Sequence, residues 1–174
     1  MRRGELLALR WADINFQEGS LWVRRTINRI GKHGLVESEP KTESSKRNIL
    51  LPRFVLTALI QRRAWQAEVR AKAGEAWQER DLVFSNYRGG YIEPADLVKR
   101  FKQLLKAANL PDMRFHDLRH SAATILLGMG VPVKLVQELL GHSHFAMTMD
   151  RYSHVLPSMQ RGMMDQLDDY FGEP

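Results

Sequence analysis

Apolar positions along the chain follow two regimes. Up to Pro52 they come in short bursts broken by turn residues; from Val55 onward they recur every three or four positions. Leu6, Leu7 and Leu9, leading to Trp11, predict a helix over residues 3–11 at the start. Asp13-Ile14-Asn15-Phe16, a turn at Glu18-Gly19, and Leu21-Trp22-Val23 have strand character. Residues 28–40 are polar and punctuated by glycine, and Arg47-Asn48-Ile49-Leu50-Leu51 reads as a further strand stopped by Pro52. Together these strands predict one small antiparallel sheet with Lys41 to Lys46 near a turn.

The helical regime opens with a stripe of Val55, Leu56, Leu59, Ile60, Ala64 and Ala67. A second stripe, Leu97, Phe101, Leu104, Leu105 and Ala108, starts at Pro94, where a helix tolerates proline. A third, Leu118, Ala122, Ile125, Leu126 and Met129, ends at Gly128 and Gly130. Pro132 opens a fourth with Val133, Val136 and Leu140, and Gly141 suits its C-terminal cap. Met159, Met163, Leu167 and Phe171 predict a last helix after Pro157. The fold class that follows is mainly α with a small antiparallel β-sheet (α+β). No repeat or long linker divides the chain, so a single domain is expected.

Composition adjusts this picture in two ways. With 174 residues the chain is long enough to bury a core without staples, and with no cysteine it has neither disulfides, thiolate metal sites nor a cysteine nucleophile. No apolar run reaches the ~18 residues of a membrane span, and no apolar signal-type core follows Met1-Arg2-Arg3-Gly4-Glu5. Lys and Arg exceed Asp and Glu by 26 to 20, a net charge of +6 and a pI near 9.8, which favours a polyanionic partner, nucleic acid first. Charge says nothing about chemistry.

Chemistry is concentrated near the C-terminus, where five of the six histidines lie between His116 and His154. In His116-Asp117-Leu118-Arg119 the imidazole and guanidinium are three apart and share a helix face, with Leu118 and Ala122 expected to point to the core. Such a pair suits an oxyanion like phosphate, because Arg offers a two-pronged donor and His can move a proton. Taken alone, His-x-x-Arg is more often a solvated helix face. Leu139-Leu140-Gly141-His142-Ser143 places His142 on a tight turn after a helix, though such a histidine often only caps carbonyls. Tyr152 is a possible nucleophile in Asp150-Arg151-Tyr152-Ser153, against the ordinary role of tyrosine as a packing residue. His116 and His120 could hold a metal on one helical turn, but Arg119 would set positive charge beside the cation and no Glu stands between them, so no metal is expected.

Five short motifs in order resemble the tyrosine recombinase (phage-type integrase) family. Met1-Arg2-Arg3-Gly4-Glu5-Leu6 is similar to its first box, with the Arg-x-x-Glu spacing selecting Arg2 over Arg3. Pro40-Lys41-Thr42 with Ser44, Ser45 and Arg47 is similar to its lysine hairpin, Lys46 being the weaker alternative to Lys41. His116 to Ser121, Leu140-Gly141-His142-Ser143 and Thr148 to Val155 supply the remaining boxes, with ten positions from His142 to Tyr152.

The resemblance implies a catalytic set of Arg2, Lys41, His116, Arg119, His142 and Tyr152. Tyr152 would attack a DNA phosphodiester to give a 3′-phosphotyrosyl link and a free 5′-hydroxyl, His116 would take the phenol proton, and Arg2 and Arg119 would hold the two non-bridging oxygens. His142 would add a hydrogen bond and Lys41 would protonate the leaving 5′-oxygen. Two arginines and a lysine would replace a metal, so no cofactor and no small-molecule substrate are implied. The implied partner is double-stranded DNA, in a cytoplasmic protein of bacterial, phage or mobile-element origin. The acidic helix over residues 157–171 would dock on a second copy of the chain on DNA.

In that family further catalytic-domain helices precede the first arginine, and a separate DNA-clamping domain precedes those. The match here begins at residue 1, so residues 1–174 are expected to form a single catalytic domain lacking both, either a fragment or a truncated reading frame. Other readings stay open. Helices 116–128 and 132–140 around Gly-Met-Gly-Val-Pro resemble a helix-turn-helix, which would make a non-catalytic DNA-binding module that needs neither Arg2, Lys41, His142 nor Tyr152. A separate alternative is an inactive truncated integrase remnant. A type IB topoisomerase-like enzyme would share the chemistry without exchanging strands.

Overall fold

The computed structural model describes residues 1–39 and 45–141. Lys41, His142, Tyr152 and the expected last helix lie outside the described residues. The chain divides into two compact units, Met1–Phe115 and His116–Pro174.

In the first unit α1 spans Arg3–Leu7, then come β1 (Ile14–Asn15), β2 (Ser20–Val23), β3 (Thr26–Ile30), β4 (Gly34–Ser38) and β5 (Arg47–Leu50). Two helices follow, α2 (Arg53–Ala73) and α3 (Pro94–Ala107). The predicted sheet is present: β1, β2 and β5 pair antiparallel in that order, with Leu21 opposite both Ile14 and Ile49. The turn between β1 and β2 uses Gly19 at φ +63°, a left-handed position that favours glycine.

Residues 28–40, whose polar and glycine-punctuated sequence predicts no strand, fall largely within a second sheet, the β3–β4 hairpin, with Ile27 opposite Glu37 and Ile30 opposite Gly34. Only Ile27 of β3 is buried. A two-stranded ribbon with one buried residue has no period-2 apolar pattern to read.

The first helix is shorter than its apolar pattern suggests. After Leu7 the chain turns extended, because the Val83 N–H bonds the Leu9 carbonyl and the Trp11 N–H bonds the Asp81 carbonyl at 2.9 Å each. Leu7, Ala8 and Ile27 form the local core, against which Leu35, Tyr91, Ile92 and Leu97 pack. The approach of α1 to β3 requires glycine at position 4, since a Cβ there would lie 2.6 Å from the Ile27 carbonyl oxygen. We expect Gly4→Ala to lower stability by about 1–3 kcal/mol, read from the urea midpoint, because backbone rather than a pliable side chain must yield.

Helix α2 turns a different face inward from the predicted stripe. Leu59 and Gln66 are its buried residues, whereas Ile60, Ala64 and Ala67 are exposed. The reason is polar: the Gln66 amide donates to the Leu82 carbonyl (2.9 Å) and the Ser85 hydroxyl (2.8 Å) and accepts from the Trp11 indole (2.6 Å). On α3, Leu105 is buried and Leu104 is exposed.

The second unit contains α4 (Asp117–Gly128) and α5 (Val133–Leu140). Ala123, Leu127, Val136 and Leu140 form its core, with Leu126, Val131 and Val133 alongside. Gly141 caps α5 in the left-handed conformation (φ +65°, ψ +50°), as the sequence predicts. Leu118 and Ala122, expected inward, are exposed, and the buried row of α4 is Arg119, Ala123 and Leu127. Among the described residues no helix is long and apolar enough to cross a membrane.

Candidate active site

Arg2 occupies the N-cap position of α1, and its neighbour Glu5 sits at the third position of that helix. There the Glu5 carboxylate accepts the Arg2 backbone N–H at 2.7 Å, one of the donors that a helix start leaves without an intrahelical partner. The same carboxylate accepts the Arg2 guanidinium at 3.0 Å. Arg3, by contrast, is exposed. The Arg-x-x-Glu spacing thus becomes a physical pair of Arg2 and Glu5.

Glu5 is buried, and a second guanidinium covers its other side. Arg47, the first residue of β5, donates to the two Glu5 oxygens at 2.9 and 3.3 Å and to the Ser45 carbonyl at 3.0 Å. Arg2 also reaches the Ser45 hydroxyl at 3.4 Å. Burial alone would raise the Glu5 pKa; the hydrogen bond and charge of Arg47, followed by those of Arg2, outweigh it and hold the group at about 2. Glu5 is therefore a carboxylate at every physiological pH. The Arg2 side chain stays 41% exposed while those of Arg47 and Glu5 are 7% and 2% exposed, so the triad opens to solvent through Arg2.

Sequence reasoning gave Arg47 no role, although a signal was present. β5 alternates buried and exposed positions, and Arg47 shares the buried side with Ile49. An arginine on the apolar face of a strand calls for a buried acid.

The stems flanking Lys41 in sequence are also tied down. Glu37 on β4 accepts Arg10 at 3.0 and 3.1 Å and the Tyr91 hydroxyl at 2.9 Å, and Lys46 pairs with Glu39 at 2.9 Å. A polar cleft of about 560 Å³ lies here, lined by Trp22, Arg24, Arg25, Glu37, Glu39 and Lys46 among others.

In the second unit His116 is exposed at the N-cap of α4, and its carbonyl accepts the Arg119 N–H at 3.1 Å. The His116 and His120 rings meet edge to face at 4.8 Å. Arg119 is not on the polar face with His116: it is 6% exposed, and its guanidinium donates to the Leu140 carbonyl. That bond draws the side chain inward, which is why the buried row of α4 begins with a cation. Among the described residues no group of three or more His, Cys, Asp or Glu could hold a metal ion.

In order along the chain come a short helix with an Arg–Glu pair at its head, a small antiparallel sheet and a later His-x-x-Arg helix. Solved structures share this fold. The integrase of transposon Tn1549 bound to transposon right end DNA superposes with a TM-score of 0.79 at 25% identity, over 96% of this chain and 55% of that one. The XerA recombinase superposes at 0.69 and 24% identity, over 95% of this chain and 52% of that one. A tyrosine recombinase XerC-like protein of Caldanaerobacter subterraneus is 36% identical over 98% of this chain and 46% of its own length. The ICEBs1 integrase of Bacillus subtilis is 29% identical over 97% of this chain and 45% of its own length. The phage integrase family model matches residues 1–159, and the chain belongs to that family. It spans about half the length of the curated relatives it matches.

Proposed function

We propose that this chain is the catalytic domain of a DNA site-specific recombinase that cleaves and rejoins double-stranded DNA through a 3′-phosphotyrosyl intermediate. The observation that carries the reading is the buried Glu5 carboxylate holding Arg2 at the head of α1, in a chain matched by the family over residues 1–159.

The chemistry follows from charge. A phosphodiester under attack gathers negative charge on its non-bridging oxygens, and fixed guanidinium donors stabilise that charge more than they stabilise the ground state. Arg2 and Arg119 fill this role. The Tyr152 phenol, with an ordinary pKa near 10, is a weak nucleophile at neutral pH, and His116 accepts its proton as the oxygen–phosphorus bond forms. The bond to the 5′-oxygen breaks as Lys41 supplies a proton to it, and His142 donates to the same phosphate. Rejoining is the reverse attack by a 5′-hydroxyl. The phosphotyrosyl ester conserves the bond, so no nucleotide is consumed.

The test is a pool of nicked duplexes randomised over the recognition sequence, in which the short fragment bearing the free 5′-hydroxyl diffuses away after cleavage, so that the intermediate is trapped. We expect a denaturation-resistant protein–DNA adduct, with peptide mapping that places the nucleotide on Tyr152. DNA binding without any adduct would favour the helix-turn-helix reading of α4 and α5. On DNA, residues 157–171 dock on a neighbouring copy. Light scattering with and without this segment, on and off DNA, is expected to show assembly that depends on both, and unchanged assembly would refute it.

A further inference from the structure

We propose that Arg47 is a positioning residue for strand cleavage: acting through Glu5, it directs Arg2 and preserves the positive charge that Arg2 presents to the scissile phosphate. The inference rests on the functional reading above, which puts Arg2 on that phosphate.

The argument is one of charge and geometry. Glu5 alone would orient Arg2 but also cancel it, since a carboxylate 3.0 Å from a guanidinium makes a neutral pair. Arg47 changes the sum. Because Arg47 shares the one carboxylate, Glu5 offsets Arg2 less than it would alone, and the buried guanidinium is Arg47 rather than Arg2. Arg2 is the guanidinium of the pair that stays on the exposed side. Arg47 also takes both Glu5 oxygens, which fixes the plane of the carboxylate and so the direction of the bonds it accepts from Arg2. Its third bond, to the Ser45 carbonyl, anchors it in the segment that follows Lys41 in sequence.

The experiment compares Arg47→Met and Arg47→Lys with the unaltered chain, each alone and combined with Arg2→Ala. Two quantities are measured: the rate of adduct formation on the nicked duplex, normalised to the folded fraction, and the slope of log affinity against log salt. We expect Arg47→Met to slow the adduct by about 100-fold, the scale of one lost transition-state donor, while affinity at fixed salt changes by less than about tenfold. The salt slope should fall by about one, as for Arg2→Ala, because one phosphate contact is lost. In the Arg2→Ala background Arg47→Met should add little to either effect, and Arg47→Lys, which keeps the charge but not the two-pronged bond, should recover only part of the rate.

A merely structural role predicts independent, multiplying losses in the double variant and an unchanged salt slope in the folded fraction; either overturns the proposal. Should Arg47→Met fail to fold, Arg47→Lys carries the same cycle, and a small rate defect that persists without Arg2 refutes it. If the unaltered chain binds DNA but forms no adduct, the functional reading fails by itself. The salt slopes then still decide whether Arg47 works through Arg2.

Discussion

Tyr152→Phe is expected to abolish the denaturation-resistant adduct, a loss on the order of 10⁴-fold or more, while DNA affinity stays within about twofold. The substitution removes one oxygen and keeps the ring, so it separates making the phosphate ester from holding the duplex. Phosphate contacts by Arg and Lys supply most of the affinity and are untouched, and the salt dependence of binding should be preserved. Gel-resolved adduct yield and fluorescence anisotropy on the same duplex check the two halves. An adduct of undiminished yield in Tyr152→Phe would move the nucleophile to another residue and dismantle the mechanism.

The second large effect is on stability. Glu5 has a folded pKa of about 2 against an ordinary value of 4.5. A depressed carboxylate stabilises the fold fully above the unfolded pKa, and that stabilisation is lost as pH falls through the folded one. The span corresponds to about 3 kcal/mol at neutral pH, disappearing between about pH 4.5 and pH 2. Glu5→Gln should flatten this limb of the acid-denaturation profile. At neutral pH it should also cost about 3–5 kcal/mol, because Arg47 is left buried without a counter-charge. Replacing Glu5 and Arg47 together by methionine should recover much of that loss, since removing both partners of a buried pair is far less harmful than removing one. Urea unfolding of the unaltered chain and the two variants across pH would test the whole set; an acid limb unchanged in Glu5→Gln would contradict it.

How much was legible beforehand differs from element to element. The antiparallel pairing of β1, β2 and β5 was readable because each strand carries its own apolar alternation and each turn its own glycine or proline. The left-handed cap at Gly141 was readable for the same local reason. Faces of helices were less so. On α2 and α4 the inward rows contain Gln66 and Arg119, whose burial depends on distant carbonyls, those of Leu82 and Leu140, that no local pattern announces. The β3–β4 hairpin escaped because it buries almost nothing.

The six candidate catalytic residues came from motif order rather than from periodicity. The structure places Arg2 and His116 at the N-caps of α1 and α4 and Arg119 within α4, while Lys41, His142 and Tyr152 lie outside the described residues. Arg47 was named within the hairpin motif but given no role, because its partner is 42 positions earlier in the chain.

The bond from Arg119 to the Leu140 carbonyl has a consequence for genetics. Its acceptor belongs to the peptide linkage just ahead of Gly141, the last residue before His142. One guanidinium is thus a clasp between two helices as well as a proposed phosphate ligand, and deleting it unfastens the backbone that leads to another candidate group. Phenotypes of alleles at codon 119 will exceed what a single lost phosphate contact predicts, and a lysine there, with charge but no fork, will not make good the difference.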